Sequence, residues 1–228
     1  MPDPIPIIGG TGALGYGLAV RWARAGEELV IGSRKPERAA EAAERIKAEV
    51  PDAKVEGLDN AAAAERGPIV FLTVPFRAQS ETLNNLRDAL SDGQILVDCT
   101  VPLAAAVSGK ATRTLGVWQG SAAQQASEMA PDGVTVISAL HTVSAAALAE
   151  GEPIEEDILV CGDRMADKAK VAKLIERIDG LRAVNAGALE TARIVEPLTA
   201  LLISINARYK TRSGIRITGL PDRDPWSD

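Results

Sequence analysis

A glycine-rich segment close to the first residue has the residue types and spacing of a pyrophosphate-binding loop. Residues 9–15 read GGTGALG, which places a G-x-G-x-x-G pattern between a short apolar run and a helical one. In such a strand–turn–helix unit, the glycines allow a tight turn, close approach of the backbone to a pyrophosphate, and close packing of helix on strand. The first N–H groups of the helix then face the anion. A glycine-rich turn without a ligand is the alternative. The residues predicted to bind the dinucleotide are Gly10, Thr11, Gly12, Ala13, Leu14 and Gly15.

The segment that ends the second predicted strand indicates which dinucleotide binds. NAD sites place an Asp or Glu here to accept hydrogen bonds from the ribose hydroxyls, whereas this chain reads Ser33-Arg34-Lys35. Arg34 can pair with a phosphate through two parallel hydrogen bonds, and Ser33 can donate its hydroxyl. Lys35 and Arg38 add positive charge at a helix start, where cations oppose the helix dipole unless an anion binds. We therefore predict that NADP(H) binds rather than NAD(H); a solvated helix start is the alternative.

Two further segments end predicted strands on the side where parallel sheets bind ligands. Thr73-Val74-Pro75 is predicted to run beside the nicotinamide, although a strand-terminating proline gives the same pattern. The single histidine, His141, ends another strand and is expected near a ligand, with its role open. The sequence contains no pattern typical of a Ser/His/Asp triad or a zinc site, so we assign neither an acid/base residue nor a metal. A hydride transfer between two ring cofactors needs close placement of two carbons and exclusion of water instead.

The elements that must position these residues alternate along the chain. The predicted strands cover residues 5–9, 28–32, 54–58, 69–74, 95–99, 134–140, 157–161 and 181–184. The predicted helices cover residues 14–25, 36–49, 78–90, 121–129, 144–149, 165–178 and 189–209. This alternation predicts an α/β, Rossmann-type doubly wound fold, with a mostly parallel sheet, helices on both faces and a C-terminal helix. Pro6 conflicts with the first strand, where it either delays the start of the strand or removes one ladder hydrogen bond.

Composition narrows the class of protein and its partners. The chain has 228 residues, of which 46% are hydrophobic and 25% charged, as expected for a globular protein with one main core. A net charge of −6 argues against nucleic acid or an anionic membrane as the main partner, so we expect small-molecule ligands. We find no apolar run long enough for a membrane span and no secretory signal, so a cytoplasmic location is the expectation.

Several segments together resemble one family, the NADPH-dependent coenzyme F420 reductases, also called F420:NADP oxidoreductases. The resemblance extends in order over residues 5–207, nearly the whole chain. It implies reversible hydride transfer between C4 of the nicotinamide and C5 of the deazaflavin ring, with NADP(H) and coenzyme F420 as the two ligands. The segments that carry it are Gly9 to Gly15, Ser33-Arg34-Lys35, Thr73-Val74-Pro75, Ser138-Ala139-Leu140-His141-Thr142, Val160-Cys161-Gly162-Asp163 and Asp179-Gly180-Leu181-Arg182.

The resemblance also implies roles for individual residues. It implies that residues 1–132 form the NADP-binding portion and 133–210 complete the deazaflavin cleft, before a tail at 211–228. The family commonly has a serine where this chain has Pro197, a change that removes a hydroxyl and a backbone donor. The residues implied to hold the adenosine 2′-phosphate are Thr11, Ser33, Arg34 and Arg38. Those implied to border the deazaflavin are His141, Val143 and Ala145, with Arg193 and Thr199 near its phosphate-bearing side chain.

The predicted helix over residues 189–209 is apolar around much of its circumference, more than a helix burying one stripe requires. We therefore predict a homodimer that buries this helix. Two other functions stay open beside the F420 reductase. One is an NADPH-dependent reductase of FMN, FAD or a metal complex, and the other is a non-catalytic NADPH-binding sensor.

Overall fold

The computed structural model describes residues 3–151, 153–221 and 225–226. Its main feature is a six-stranded sheet in which all neighbouring strands are parallel. The strands are β1 (Ile5–Ile8), β2 (Leu29–Ser33), β3 (Val55–Asp59), β4 (Ile69–Leu72), β5 (Ile95–Asp98), β6 (Thr135–Ser138), β7 (Glu156–Val160) and β8 (Leu181–Asn185). The order in the main sheet is β3-β2-β1-β4-β5-β6, while β7 and β8 form a separate parallel pair. An antiparallel bridge between Ser138 and Cys161 joins the ends of β6 and β7.

Nine α-helices and three 3₁₀ helices lie between and after these strands in the described residues. The α-helices are α1 (Ala13–Arg24), α2 (Pro36–Glu49), α3 (Asn60–Ala64), α4 (Gln79–Leu86), α5 (Ala122–Met129), α6 (Ala145–Glu150), α7 (Met165–Ile175), α8 (Ala192–Val195) and α9 (Leu198–Tyr209). The 3₁₀ helices are Phe76–Ala78, Ala104–Val107 and Leu189–Thr191. None of the described helices has both the length and the apolar character needed to cross a bilayer.

The hydrophobic core forms two layers because successive strand residues point to opposite faces of the sheet. Ile7 and Ile31 belong to one buried cluster, which also contains side chains of α1, α2, α6 and α7. Their neighbours Ile8 and Val30 belong to a second cluster, which contains side chains of α3, α4, α5 and α8. Helices therefore cover both faces of a parallel sheet, which confirms the predicted fold class.

Pro6 lies inside β1 and does not delay its start. Pro6 pairs in register with Val30 of β2, whereas pairing with β4 begins only at Ile7. The Ile5 N–H donates to a carbonyl on the β2 side, and strand backbone alternates its donors between the two neighbours. The Pro6 nitrogen therefore faces the side on which the β4 ladder has not yet begun, so the proline fits within the strand.

The structure differs from several predicted boundaries, most of all in two helices. The helix predicted over residues 189–209 is broken into Leu189–Thr191, α8 and α9, with Pro197 in the break. Proline lacks the N–H that a continuous helix needs and clashes with the carbonyl four residues earlier. The helix predicted over 78–90 ends at Leu86. A helix that was not predicted, α3, begins where the Asp59 carboxylate accepts the N–H groups of Ala61 and Ala62, both at 2.9 Å.

The described part of the predicted tail 211–228 is attached to β7. Asp157 is fully buried; its N–H donates to the Ile215 carbonyl at 2.7 Å, and its carboxylate forms an ion pair with Arg182 at 2.6 Å. Residues 222–224 and 227–228 of the tail lie outside the described residues. The predicted division at 132/133 falls just before β6, so the last strand of the main sheet belongs to the predicted second portion. That division stays a prediction.

Candidate functional site

The glycine-rich loop packs directly on the carboxyl ends of β1 and β2. The Gly10 N–H donates to the carbonyls of Ile7 at 3.1 Å and Gly32 at 3.0 Å. A Cβ added to Gly10 would lie 2.8 Å from the Ile7 carbonyl oxygen. Glycine is therefore required here by the close approach of the two backbones.

The first turn of α1 is open to an anion. Thr11, Gly12 and Ala13 are exposed. Gly12 caps the helix without a side-chain hydrogen bond, and no acidic residue stands in the first turn. The first N–H groups of a helix have no partner within the helix, and together with the helix dipole they favour a negatively charged group. This geometry fits the pyrophosphate that the sequence predicts here.

Thr73 and Val74 hold the loop from the β4 side. The Thr73 hydroxyl donates to the Ile8 carbonyl at 2.9 Å, and a Cβ added to Gly15 would lie 2.5 Å from that hydroxyl oxygen. A Cβ added to Gly9, which has a φ of +76°, would lie 2.6 Å from the Cγ1 atom of Val74. Thr73 thus positions the loop and the start of α1, while Pro75 is exposed beside them.

Four residues predicted to bind phosphate lie at the end of β2 and the start of α2. Ser33 is buried and its hydroxyl accepts the Lys35 N–H at 3.3 Å. Arg34, Lys35 and Arg38 are exposed, and none of them takes part in an ion pair within the described part of the chain. Positive charge without a partner next to a pyrophosphate-type loop fits a second, monoester phosphate.

The structure adds Asn60, which the sequence reasoning did not single out. The Asn60 side-chain oxygen accepts the Gly9 N–H at 3.4 Å. It also lies 3.0 Å from where a Cβ on Gly32 would be. Asn60 therefore connects the ends of β1, β2 and β3 below the loop. Its position just after a predicted strand is the signal that could have placed it at this edge of the sheet.

His141 lies in a second group of predicted residues, which follows β6. Its side chain is buried, and neither ring nitrogen has a hydrogen-bond partner among the described residues. Burial lowers the pKa of His141 to about 4, so the ring is neutral at pH 7. The Thr199 hydroxyl donates to the His141 carbonyl at 2.8 Å, which joins α9 to this segment.

Val143 and Ala145 continue the same segment toward α1. Val143 is buried in the core, and Ala145 begins α6. The Ala145 carbonyl oxygen lies 3.3 Å from where a Cβ on Gly17 of α1 would be. The structure therefore brings the His141 segment against the helix whose first turn faces the predicted pyrophosphate.

Arg193 belongs to α8, and its side chain contacts the amino-terminal end of α5. Its guanidinium donates to the Glu190 carbonyl at 3.0 Å and to the Gln124 side-chain oxygen at 3.4 Å. Gly120 packs against the same guanidinium. Thr199 and Arg193 thus flank the break between α8 and α9, one contacting the His141 segment and the other contacting α5.

Comparison with known proteins identifies the family of this chain. Residues 4–102 match the family described as NADP oxidoreductase, coenzyme F420-dependent. Over 225 residues the chain is 45% identical to the F420-dependent NADP reductase of Methanothermobacter thermautotrophicus, covering 96% of this chain and 97% of that protein. The chain belongs to the F420-dependent NADP reductase family. The resemblance predicted from the sequence is confirmed.

Two other proteins extend the comparison. The F420-dependent NADP reductase of Methanocaldococcus jannaschii is 41% identical over 95% of this chain and 98% of its own length. A crystal structure of a protein from Arthrobacter sp. FB24, proposed to be an F420-dependent NADP reductase, superposes with a TM-score of 0.81 at 23% identity. That superposition covers 96% of this chain and 100% of that one, and at this identity it supports the fold alone.

The neutral His141 ring makes stability depend on pH in a defined direction. Between the ordinary pKa of 6.5 and the folded value of about 4, the unfolded chain binds a proton that the folded chain does not. Wild-type stability should therefore fall, relative to a His141→Phe variant, by roughly 3 kcal/mol as the pH falls through this window. Urea unfolding of both proteins at several pH values measures it. If the difference in the free energy of unfolding between the two proteins is the same at every pH, the His141 ring is not buried in its uncharged form.

Proposed function

We propose that this member of the F420-dependent NADP reductase family transfers a hydride reversibly between NADP(H) and the deazaflavin of coenzyme F420. The observation that carries the proposal is the identity of 45% along nearly the whole length of a reductase with that activity. When F420 is reduced, NADPH supplies the hydride from C4 of the nicotinamide to C5 of the deazaflavin. One proton from solvent balances the reaction.

The first half of the cleft binds and orients NADP(H). The open first turn of α1 would hold the pyrophosphate through backbone N–H groups. Arg34, with Ser33, Lys35 and Arg38 beside it, would hold the 2′-phosphate. Thr73 and Val74 keep the loop in place. The nicotinamide half would extend past them, along the end of β4. These contacts fix the position from which the hydride leaves.

The second half would hold the deazaflavin. His141 is neutral at pH 7, so we assign it no role as a cationic acid. Its two unpartnered ring nitrogens suit a hydrogen bond to a polar edge of the deazaflavin ring. The backbone of Val143 and Ala145 would border the ring. Arg193 and Thr199 would hold the phosphate-bearing side chain, and no residue is assigned as a catalytic acid or base.

The direct test is turnover with alternative acceptors. Purified protein is mixed with NADPH and oxidised F420, and the loss of deazaflavin absorbance is followed, with FMN and FAD as parallel acceptors. We expect rapid NADPH-dependent bleaching of F420 alone. Bleaching of FMN or FAD in place of F420 would refute the assignment of F420 as the hydride acceptor. Binding of NADPH without turnover of any acceptor would favour a sensor.

The Arg34→Ala variant tests the site proposed for the 2′-phosphate. Removing a charge-assisted pair should raise the KM for NADPH by roughly 10–100-fold and change kcat little. The KM for NADH, which lacks that phosphate, should stay the same. Arg87→Ala, which removes an exposed arginine at the end of α4, is the matched control. An NADPH KM equal to that of wild type would place the phosphate elsewhere.

We also infer that two copies of the chain associate through α8 and α9. The apolar helix α9 has only Ala200 and Leu202 buried. Leu201 is 55% exposed and Ile194 of α8 is 65% exposed. Large apolar side chains exposed together are typical of an interface, because burying them removes apolar area from water.

The dimer can be tested with one substitution. Leu201→Asp should weaken self-association by about 100-fold or more, because a charge would be buried at the interface. Val107→Asp, which changes an apolar residue with 64% exposure outside α9, is the control. Sedimentation velocity over a range of concentrations measures the mass. A wild-type mass of 23.9 kDa at every concentration would rule the dimer out.

A further inference from the structure

A buried polar network lies at the carboxyl end of β5. Asp98 is fully buried; one of its oxygens accepts the Thr100 N–H at 2.7 Å and the other accepts the Gln79 side-chain amide. The same amide nitrogen lies 2.8 Å from the Thr100 hydroxyl oxygen and 3.0 Å from the Ala122 carbonyl oxygen, so its two hydrogens are shared among three acceptors. Gln125 donates to the Gln79 side-chain oxygen at 2.7 Å. The network thus connects β5, α4 and the first turn of α5.

Glu196 reaches the same place from the break between α8 and α9. Its side chain is 1% exposed. One carboxylate oxygen accepts the Ala122 N–H at 2.9 Å and the other accepts the Ala123 N–H at 3.0 Å. Two N–H groups at the start of α5 are therefore satisfied by a residue 74 positions away in sequence. Asp98 and Glu196 meet at Ala122, one through Gln79 and the other directly.

We propose, resting on the proposed function, that Glu196 is a positioning residue for the deazaflavin side of the cleft. It stands three residues after Arg193 and three before Thr199. Arg193 contacts α5 through Gln124, and Thr199 contacts the His141 carbonyl. The Glu196 carboxylate fixes the segment between them to α5. It thereby sets the distance between the cation and the hydroxyl assigned to the F420 side chain.

The charge on Glu196 gives this role a measurable pH dependence. The pKa of Glu196 is raised to about 8: burial raises it most, the N–H groups of Ala122 and Ala123 lower it, and the charge of Asp98 raises it. Burial raises the pKa of Asp98 to about 6, so Asp98 ionises first. The charge of Glu196 also raises the pKa of the Cys161 thiol, which Lys168 lowers. Above about pH 8, Glu196 therefore adds a buried negative charge close to the place proposed for a phosphate.

The Glu196→Gln variant tests the proposal. A glutamine oxygen can accept one of the two N–H groups, but its NH₂ cannot accept the other, as the hydroxyl oxygen of a protonated Glu196 can, so the segment loses one attachment. At pH 7 we expect the KM for F420 to rise by about 10-fold or more, while the Kd for NADPH changes less than about twofold. In wild type the KM for F420 should rise around pH 8, where Glu196 ionises, and this rise should be absent in the variant. Glu176→Gln, which also alters an acceptor of a backbone N–H, from Ala183 at 3.1 Å, is the matched control.

The outcomes separate this inference from the proposed function. A wild type that does not reduce F420 refutes the proposed function. An active wild type with an equal F420 KM and pH profile in Glu196→Gln refutes the positioning role, as does an equal loss of NADPH and F420 binding. Should Glu196→Gln fail to fold, Asp98→Asn is used in its place. Removing the charge of Asp98 should lower the pKa of Glu196, so the rise in the F420 KM should occur at a lower pH in this variant than in wild type. A rise at the same pH as in wild type would then overturn the proposal.

Discussion

The rest of the site depends on the backbone contact between the glycine-rich loop and the ends of β1, β2 and β4. At Gly9, Gly10 and Gly15 a Cβ would lie within 2.8 Å of a neighbouring atom, so no other residue fits without moving the loop. This close packing begins α1 at Ala13 with its first N–H groups facing outward. It also places the exposed cations after β2 beside them, since β1 and β2 are adjacent and in register. The edge proposed to bind an anion is therefore shaped by sterics before any charged side chain contributes.

Much of this edge could be predicted because its signals are local in sequence. Helix 36–49 was predicted with the boundaries it has, since Pro36 fits only the first helical turn. Helix α3 was missed because five residues, four of them alanine, give no apolar periodicity. The break at Pro197 was missed because apolar residues continue on both sides of it. Leu140, with a φ of +67°, adopts a conformation that its side chain disfavours and its neighbours do not signal.

The half of the site proposed for the deazaflavin is built differently, through contacts that no local pattern contains. The hydrogen bond from Thr199 to the His141 carbonyl spans 58 positions, and that from Ala122 to Glu196 spans 74. Sequence alone placed His141 at a strand end and Thr199 on a helix, but not against each other. Only the family resemblance associated them with one ligand. Their meeting depends on how the segment around Pro197 turns back toward α5 and β6, which is decided by tertiary packing.

The two halves should therefore respond differently to pH. The segment 9–15 has no ionisable side chain, and the cations proposed for the 2′-phosphate are exposed. The opposite half includes the buried ionisable groups His141, Asp98 and Glu196, whose pKa values burial moves to about 4, about 6 and about 8. Around neutral pH the first is uncharged, the second charged and the third mostly protonated. A change of pH near 8 thus acts on the part proposed to position the hydride acceptor, while the glycine-rich loop, which has no ionisable side chain, keeps its backbone geometry.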